Sequence, residues 1–268
     1  MEYTPCSKFE VWWSANLKIL KGGKIIMNKE KTVLITGANK GIGYETARQL
    51  GAMGFTILLG VRNEEKGRKA TEALAKEGIN THFVLLDVTQ QHTIEAAAKY
   101  IEQEFDLLDI LINNVGVSLD RGASPSQLEL SDLKETFETN FFGMFAVTKA
   151  MLPLLKKSLS GRIVNLSSGL GSLTQNSHLD SEFAKINLLA YNSSKTAVNA
   201  LTVMFAKELK NSSIKINSAD PGYTATDLNG HRGYRTVQQA ATIVVRLATL
   251  GEDGPNGGFF DESGEVPW

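Results

Sequence analysis

The chain has 268 residues, 42% of them apolar, and a formal net charge of −1, which suits one large α/β domain with a sizeable core. With no long basic or acidic run, neither nucleic acid nor a charged membrane surface is an expected partner. No apolar run approaches the roughly 18 residues that a membrane span needs.

The first 26 residues differ from the rest: they have no clear period and they pair Trp12 with Trp13. They lack the compact apolar core and small-residue cleavage site of a signal peptide. The stretch KGGKIIM reads like a translated ribosome-binding site, which places the natural start at Met27 and leaves residues 1–26 as an upstream arm. The alternative is a genuine arm whose Val11, Trp12 and Trp13 pack on the body or on a partner. Cys6 is the only cysteine, so there is no internal disulfide and no thiolate cluster for a metal. A reducing, cytoplasmic setting follows most simply, with residues 27–268 as the one main domain.

From Lys31 strands and helices alternate. Short β-branched runs predict strands at 32–36, 55–60, 82–88, 108–114, 161–168 and 214–222, with a short last strand in GGFFD. Helical spacing predicts helices at 43–54, 64–78, 93–105, 131–157 with Ser131 as N-cap, a helix containing Tyr191, and 236–250. This alternation implies right-handed crossovers and a doubly wound parallel α/β sheet with helices on both faces. Ligands of such sheets bind beyond the carboxyl ends of the strands, where strand order reverses.

Several unusual groups fall at those ends. TGANKGIG (36–43) follows the first strand and opens a helix. Its glycines allow a tight turn and close backbone approach to a diphosphate, and the helix start adds N–H groups and partial positive charge. Gly37, Asn39, Lys40, Gly41, Ile42 and Gly43 are therefore candidate nucleotide contacts. Arg62 ends the second strand, 19 residues past Gly43, where an acid would bind a free ribose 2′-hydroxyl. Arg62 and Lys40 suit a 2′-phosphate instead, and so NADP(H). Glu64 and Glu65 fit the first turn of the next helix, where acids are favourable. Tyr191 and Lys195 are one helical turn apart and share a face. A nearby ammonium lowers a phenol's pKa from its usual value near 10, which would make Tyr191 a usable acid near neutrality.

The glycine turn, NNVG (113–116), YNSSK (191–195) and DPG (220–222) occur in the order that resembles the short-chain dehydrogenase/reductase family, whose catalytic domain is a Rossmann fold. Within the family the chain looks most like the carbonyl reductases, on TGANKGIG, TNFFG and the ending GGFFDESGEVPW. The resemblance implies an NADPH-dependent reductase of a ketone, aldehyde or quinone-like small molecule. Tyr191 would give the proton, Lys195 would hold the nicotinamide ribose, Ser168 the substrate oxygen, and Asn140 a relay water. Asp87 and Val88 would flank the adenine; Asn113, Asn114, Val115 and Gly116 would line the adenosine side. The family usually has Ala where Val115 stands. Around the nicotinamide, Pro221 would fix the turn, Gly222 would admit the ring, and Thr224 and Thr226 could bond its carboxamide.

Ser168 and Tyr191 are 23 residues apart, farther than is usual in the family. The extra segment TQNSHLDSEFAKINL resembles the carbonyl reductase insertion, shortened. If it covers the helix face used for tetramers, a monomer follows. NGHRGYR after the sixth strand suits a mobile lid. The histidines, His231 included, have no metal or triad spacing and are expected at the surface. The competing functions are an NADP-dependent alcohol or sterol dehydrogenase and an NADPH sensor without turnover.

Overall fold

All five residues of β1 (Thr32–Thr36) are buried, as expected of an apolar, β-branched run covered on both faces. The computed structural model describes residues 31–178, 180, 181 and 183–268, so the expected arm at 1–26 lies outside the described residues. Lys31–Trp268 forms one compact unit. After β1 come α1 (Gly41–Ala52), β2 (Thr56–Val61), α2 (Glu64–Lys76), β3 (Thr81–Leu85), α3 (Gln91–Phe105) and β4 (Ile110–Asn113). Next are α4 (Leu130–Phe137), α5 (Met144–Leu155), β5 (Arg162–Leu166), α6 (Leu173–Ser177), α7 (Leu189–Glu208), β6 (Lys215–Ala219), α8 (Val237–Ala248) and β7 (Phe259–Phe260).

The seven strands form one sheet in the order β3-β2-β1-β4-β5-β6-β7, parallel throughout. The chain winds outward from β1 to β3 and then returns to β4, so the switch point lies between β1 and β4. Alternate side chains of each strand feed opposite layers. Val33, Ile35, Ile57 and Leu59 pack with Leu50 of α1 and Val244 and Leu247 of α8. Leu34, Leu58 and Leu111 pack with Ile94 and Ile101 of α3 and Val147 and Met151 of α5. Each such Leu or Ile contributes about 2 kcal/mol by burial.

Two sequence expectations need correction here. The helix expected over 131–157 starts at Leu130, with Glu129 at the cap position, so Ser131 lies inside it. It is also interrupted by a wider π turn at Glu138–Gly143. The turn places Asn140, which is fully buried, opposite the backbone of Val117, and seats Gly143 where a Cβ would lie 2.8 Å from the Val88 carbonyl. Periodicity cannot show such a bulge, because the apolar stripe continues through it. β3 ends at Leu85, short of the expected 88. Asp87 and Val88 lie in the following turn, which the Thr89 hydroxyl closes by donating to Asp87 Oδ1 at 2.8 Å.

The insertion forms α6, capped by Ser172, whose hydroxyl accepts the Gln175 N–H at 3.1 Å. The C-terminal residue holds it: the Trp268 carbonyl accepts the Thr174 N–H at 2.9 Å, and the Trp268 ring stacks on Phe259 at 5.7 Å.

Candidate active site

The glycine turn is shaped by its neighbours. Gly37 and Gly41 have φ of +67° and +61°, a conformation that L side chains rarely adopt. Asn114 braces the turn, with Nδ2 donating to the carbonyls of Thr36 and Gly37 at 2.8 and 3.3 Å. A Cβ on Gly43 would stand 2.5 Å from that same Nδ2. Asn39 and Ile42 flank the start of α1, which has no side-chain cap and whose first amides suit a diphosphate.

Arg62 is exposed at the end of β2 and makes no ion pair or hydrogen bond among the described residues. Glu64 and Glu65 pair with Arg68 and Lys69 along α2, so neither neutralises Arg62. Lys40 differs from expectation, because it is ion-paired with Asp227 in the loop after β6. His231 joins the pair, with Nε2 2.8 Å from Asp227 Oδ1, so this surface histidine does have a partner. That loop also sets the Thr226 methyl 3.7 Å from a Cβ position on Gly41.

Other expected contacts take structural duties. Asn113 turns into the core, donating to Thr148 Oγ1 at 3.0 Å and Asn165 Oδ1 at 2.9 Å, so its side chain is not on the adenosine side. The neighbouring Val115 abuts Gly37 instead, 2.9 Å from a Cβ position there. The Thr224 hydroxyl bonds the carbonyls of Pro221 and Gly222 at 3.2 and 3.0 Å, and holds their turn rather than standing free for a carboxamide. Gly222, at φ +71°, keeps the backbone bare beside Arg235.

The catalytic candidates do converge. Tyr191 and Lys195 lie on the first turns of α7, and the Lys195 ammonium nitrogen is 5.6 Å from the Tyr191 ring centre. Ser168 follows β5 and its hydroxyl favours the Tyr191 phenolate, while Ser167 is buried and donates to the Lys195 carbonyl at 3.3 Å. Asn140 Nδ2 donates to the Val117 carbonyl and to Ser194 Oγ, both at 2.9 Å, and Oδ1 accepts the Val117 N–H at 2.8 Å. Its side chain thus ties α7 to the β4 loop. Gly116 lies between these groups, with a Cβ position 3.4 Å from Lys195 Nζ and 3.6 Å from Asn140 Oδ1.

The expected lowering of the Tyr191 phenol is reversed. Burial, and then the Asp220 carboxylate, push the Tyr191 phenol up to about 12, with the Ser168 hydrogen bond working the other way. Burial pushes Lys195 down to about 8, and Asp220 opposes that shift. The ammonium stands beside the ring and donates to the Leu166 carbonyl at 2.7 Å, which explains why it does not lower the phenol here.

Three groups escaped the sequence reading. Asp120 is 1% exposed, and its carboxylate accepts the N–H groups of Ala190 and Tyr191 at 2.7 and 3.1 Å, capping the helix that carries Tyr191. Asp220 faces the tyrosine and the lysine from the end of β6. Phe183 of the insertion lies against the Ser168 turn, 2.8 Å from a Cβ position on Gly169. Only Asp220 gave a signal, as a carboxylate ending a strand within DPG.

The sequence model for the short chain dehydrogenases matches residues 31–235. The chain belongs to the short-chain dehydrogenase family. A short-chain dehydrogenase of Penicillium roqueforti (anuI) is 38% identical over 82% of this chain and 88% of its own length. The (−)-isopiperitenone reductase of Mentha piperita is 34% identical over 86% of this chain and 96% of its own. The NADPH-bound carbonyl reductase from chicken fatty liver superposes with a TM-score of 0.78 at 28% identity, over 89% of this chain and 99% of that one. An open depression of about 680 Å³ beside β3, lined by His82, His92 and Tyr100, holds none of the site candidates.

Proposed function

We propose that this short-chain dehydrogenase is an NADPH-dependent reductase of a ketone, aldehyde or quinone-like carbonyl, with Tyr191 as proton donor. The observation that carries the reading is the convergence of Tyr191, Ser168 and Lys195 at the ends of β5 and β6, with an unpaired Arg62 at the end of β2. The similarity to the Mentha piperita reductase and to the NADPH-bound carbonyl reductase supports it.

The cradle of Gly37, Gly41 and Gly43 and the free guanidinium of Arg62 fit a 2′-phosphorylated dinucleotide. When bound, NADPH supplies the hydride. Ser168 and Tyr191 would both donate to the substrate oxygen, which gains negative charge as the carbonyl is reduced. Tyr191 then gives up its proton to the developing alkoxide. Lys195 keeps its positive charge near the ribose, beside the emerging phenolate. Asn140 orders α7 against the β4 loop, so that Lys195 and Gly116 keep their spacing. Phe183, and Tyr223 with Tyr234, whose rings meet edge-on at 6.1 Å, offer aromatic surface to an apolar carbonyl compound.

Following NADPH oxidation across a panel of aldehydes, ketones and quinones tests this. Turnover of several members supports it, whereas NADPH binding without consumption across the panel refutes it. We place the activity in the cytoplasm, which fractionation of the source cells tests. Among the described residues no helix is long and apolar enough to cross a membrane. A monomer follows if the insertion covers the helix face used for tetramers; Phe142, Phe145 and Met204 are exposed apolar side chains among the described residues. Light scattering of the purified protein decides the oligomeric state.

A further inference from the structure

Asp220 stands where buried β6 gives way to the Pro221 turn. A carboxylate there is costly unless its charge is met. The Gly222 N–H donates to its Oδ1 at 2.9 Å, and the Gly169 amide also stabilises its charge. Its Oδ2 is so close to Gly169 that a Cβ there would lie 2.9 Å away. Gly169 follows Ser168 and Gly222 follows Pro221, so one carboxylate spans the two turns that bracket the reacting groups. Tyr191 and Lys195 face it from α7, Arg235 from the loop after β6, and Asp261 from beyond β7.

We propose that Asp220 is a positioning residue of the reduction: its carboxylate clamps the Ser168 turn to the Gly222 turn and sets its charge beside Tyr191 and Lys195. This rests on the carbonyl reductase reading. A negative charge beside a phenol makes loss of its proton harder, and the same charge beside an ammonium does likewise. Near neutrality the effect on Lys195 is the one that counts, because the phenol is protonated there in any case. The two amides and Arg235 favour the carboxylate form, while burial and Asp261 oppose it and hold Asp220 above the usual carboxylate range. The clamp therefore weakens as pH falls through that raised range.

Asp220→Asn keeps the size, can still accept an amide, and removes the charge. Tyr191 ionisation is read from phenolate absorbance, as the difference between each protein and the same protein carrying Tyr191→Phe, without substrate or cofactor. The expected result is a Tyr191 midpoint lower by about half to one pH unit. The alkaline limb of carbonyl reduction, set by Lys195, should move down as well, and kcat should fall several-fold. An unshifted midpoint overturns the proposal, even if activity drops. Should Asp220→Asn not fold, Asp220→Ser is expected to give the same downward shift, and no shift in that variant is equally fatal. Failure of the functional reading would show separately, as no carbonyl reduction by the unaltered protein, and it would overturn the link to reduction whatever the titration gives.

Discussion

The carboxylate of Asp120 accepts the backbone N–H of Tyr191 at 3.1 Å, across 71 residues of sequence. The helix start at Leu189 has no side-chain cap of its own, so this contact from the β4 loop supplies one. Capping bonds contribute about 1–2 kcal/mol. Asp120→Ala should therefore lower Tm by about 3–6 °C. It should also reduce kcat more than it raises KM, because Tyr191 loses its fixed start. Thermal melts and steady-state kinetics check both. An unchanged kcat would show that the cap does not place the tyrosine.

Cofactor choice rests on Arg62. A charge-assisted, bidentate contact to a 2′-phosphate is worth about 1.5–3 kcal/mol. Arg62→Ala should raise the KM for NADPH by about ten- to a hundredfold, with the NADH value nearly unmoved. Michaelis constants for both cofactors, in both proteins, decide it. A wild-type preference for NADH would contradict the assignment.

The glycine turn leaves little room at its third glycine. Gly43→Ala places a methyl 2.5 Å from Asn114 Nδ2 and 3.0 Å from the Gly37 carbonyl. Asn114 must move, and its bonds to Thr36 and Gly37 weaken. NADPH binding, followed by its fluorescence, should weaken about tenfold, with a destabilisation of about 1–3 kcal/mol from overpacking.

Lys195 leaves a signature in stability. Burial holds it at about 8 against its ordinary 10.5, so between those values the folded protein binds fewer protons than the unfolded chain. Unfolding free energy therefore rises with pH across that window, by an amount on the order of 3 kcal/mol. Below the window the full penalty of a buried ammonium is present. The Tyr191 shift acts in the opposite sense, but only between 10 and about 12, where stability falls as pH rises. Denaturant unfolding at pH 7 and pH 9.5 should show the rise in the unaltered protein and lose it in Lys195→Met.

The strand and helix order was legible because buried parallel strands are short β-branched runs and the helices carry clear apolar periods. The glycine turn, Arg62 and the Tyr191–Lys195 pair were legible because local spacing alone places them. What escaped depends on distant partners. Asn113 looks like a ligand-facing amide until Thr148 and Asn165 are seen to bond it. Lys40 looks free until the loop after β6 brings Asp227 over the glycine turn. The direction of the Tyr191 shift was misjudged for the same reason: burial and Asp220 outweigh a lysine whose ammonium is turned to Leu166.

The most direct test of the account is Tyr191→Phe, measured for both NADPH affinity and carbonyl turnover. The phenyl ring keeps the packing and loses the transferable proton. The account predicts NADPH binding within about threefold of the unaltered protein and a fall in kcat of about a hundred- to ten-thousandfold. Turnover undiminished with the nucleotide still bound would contradict it.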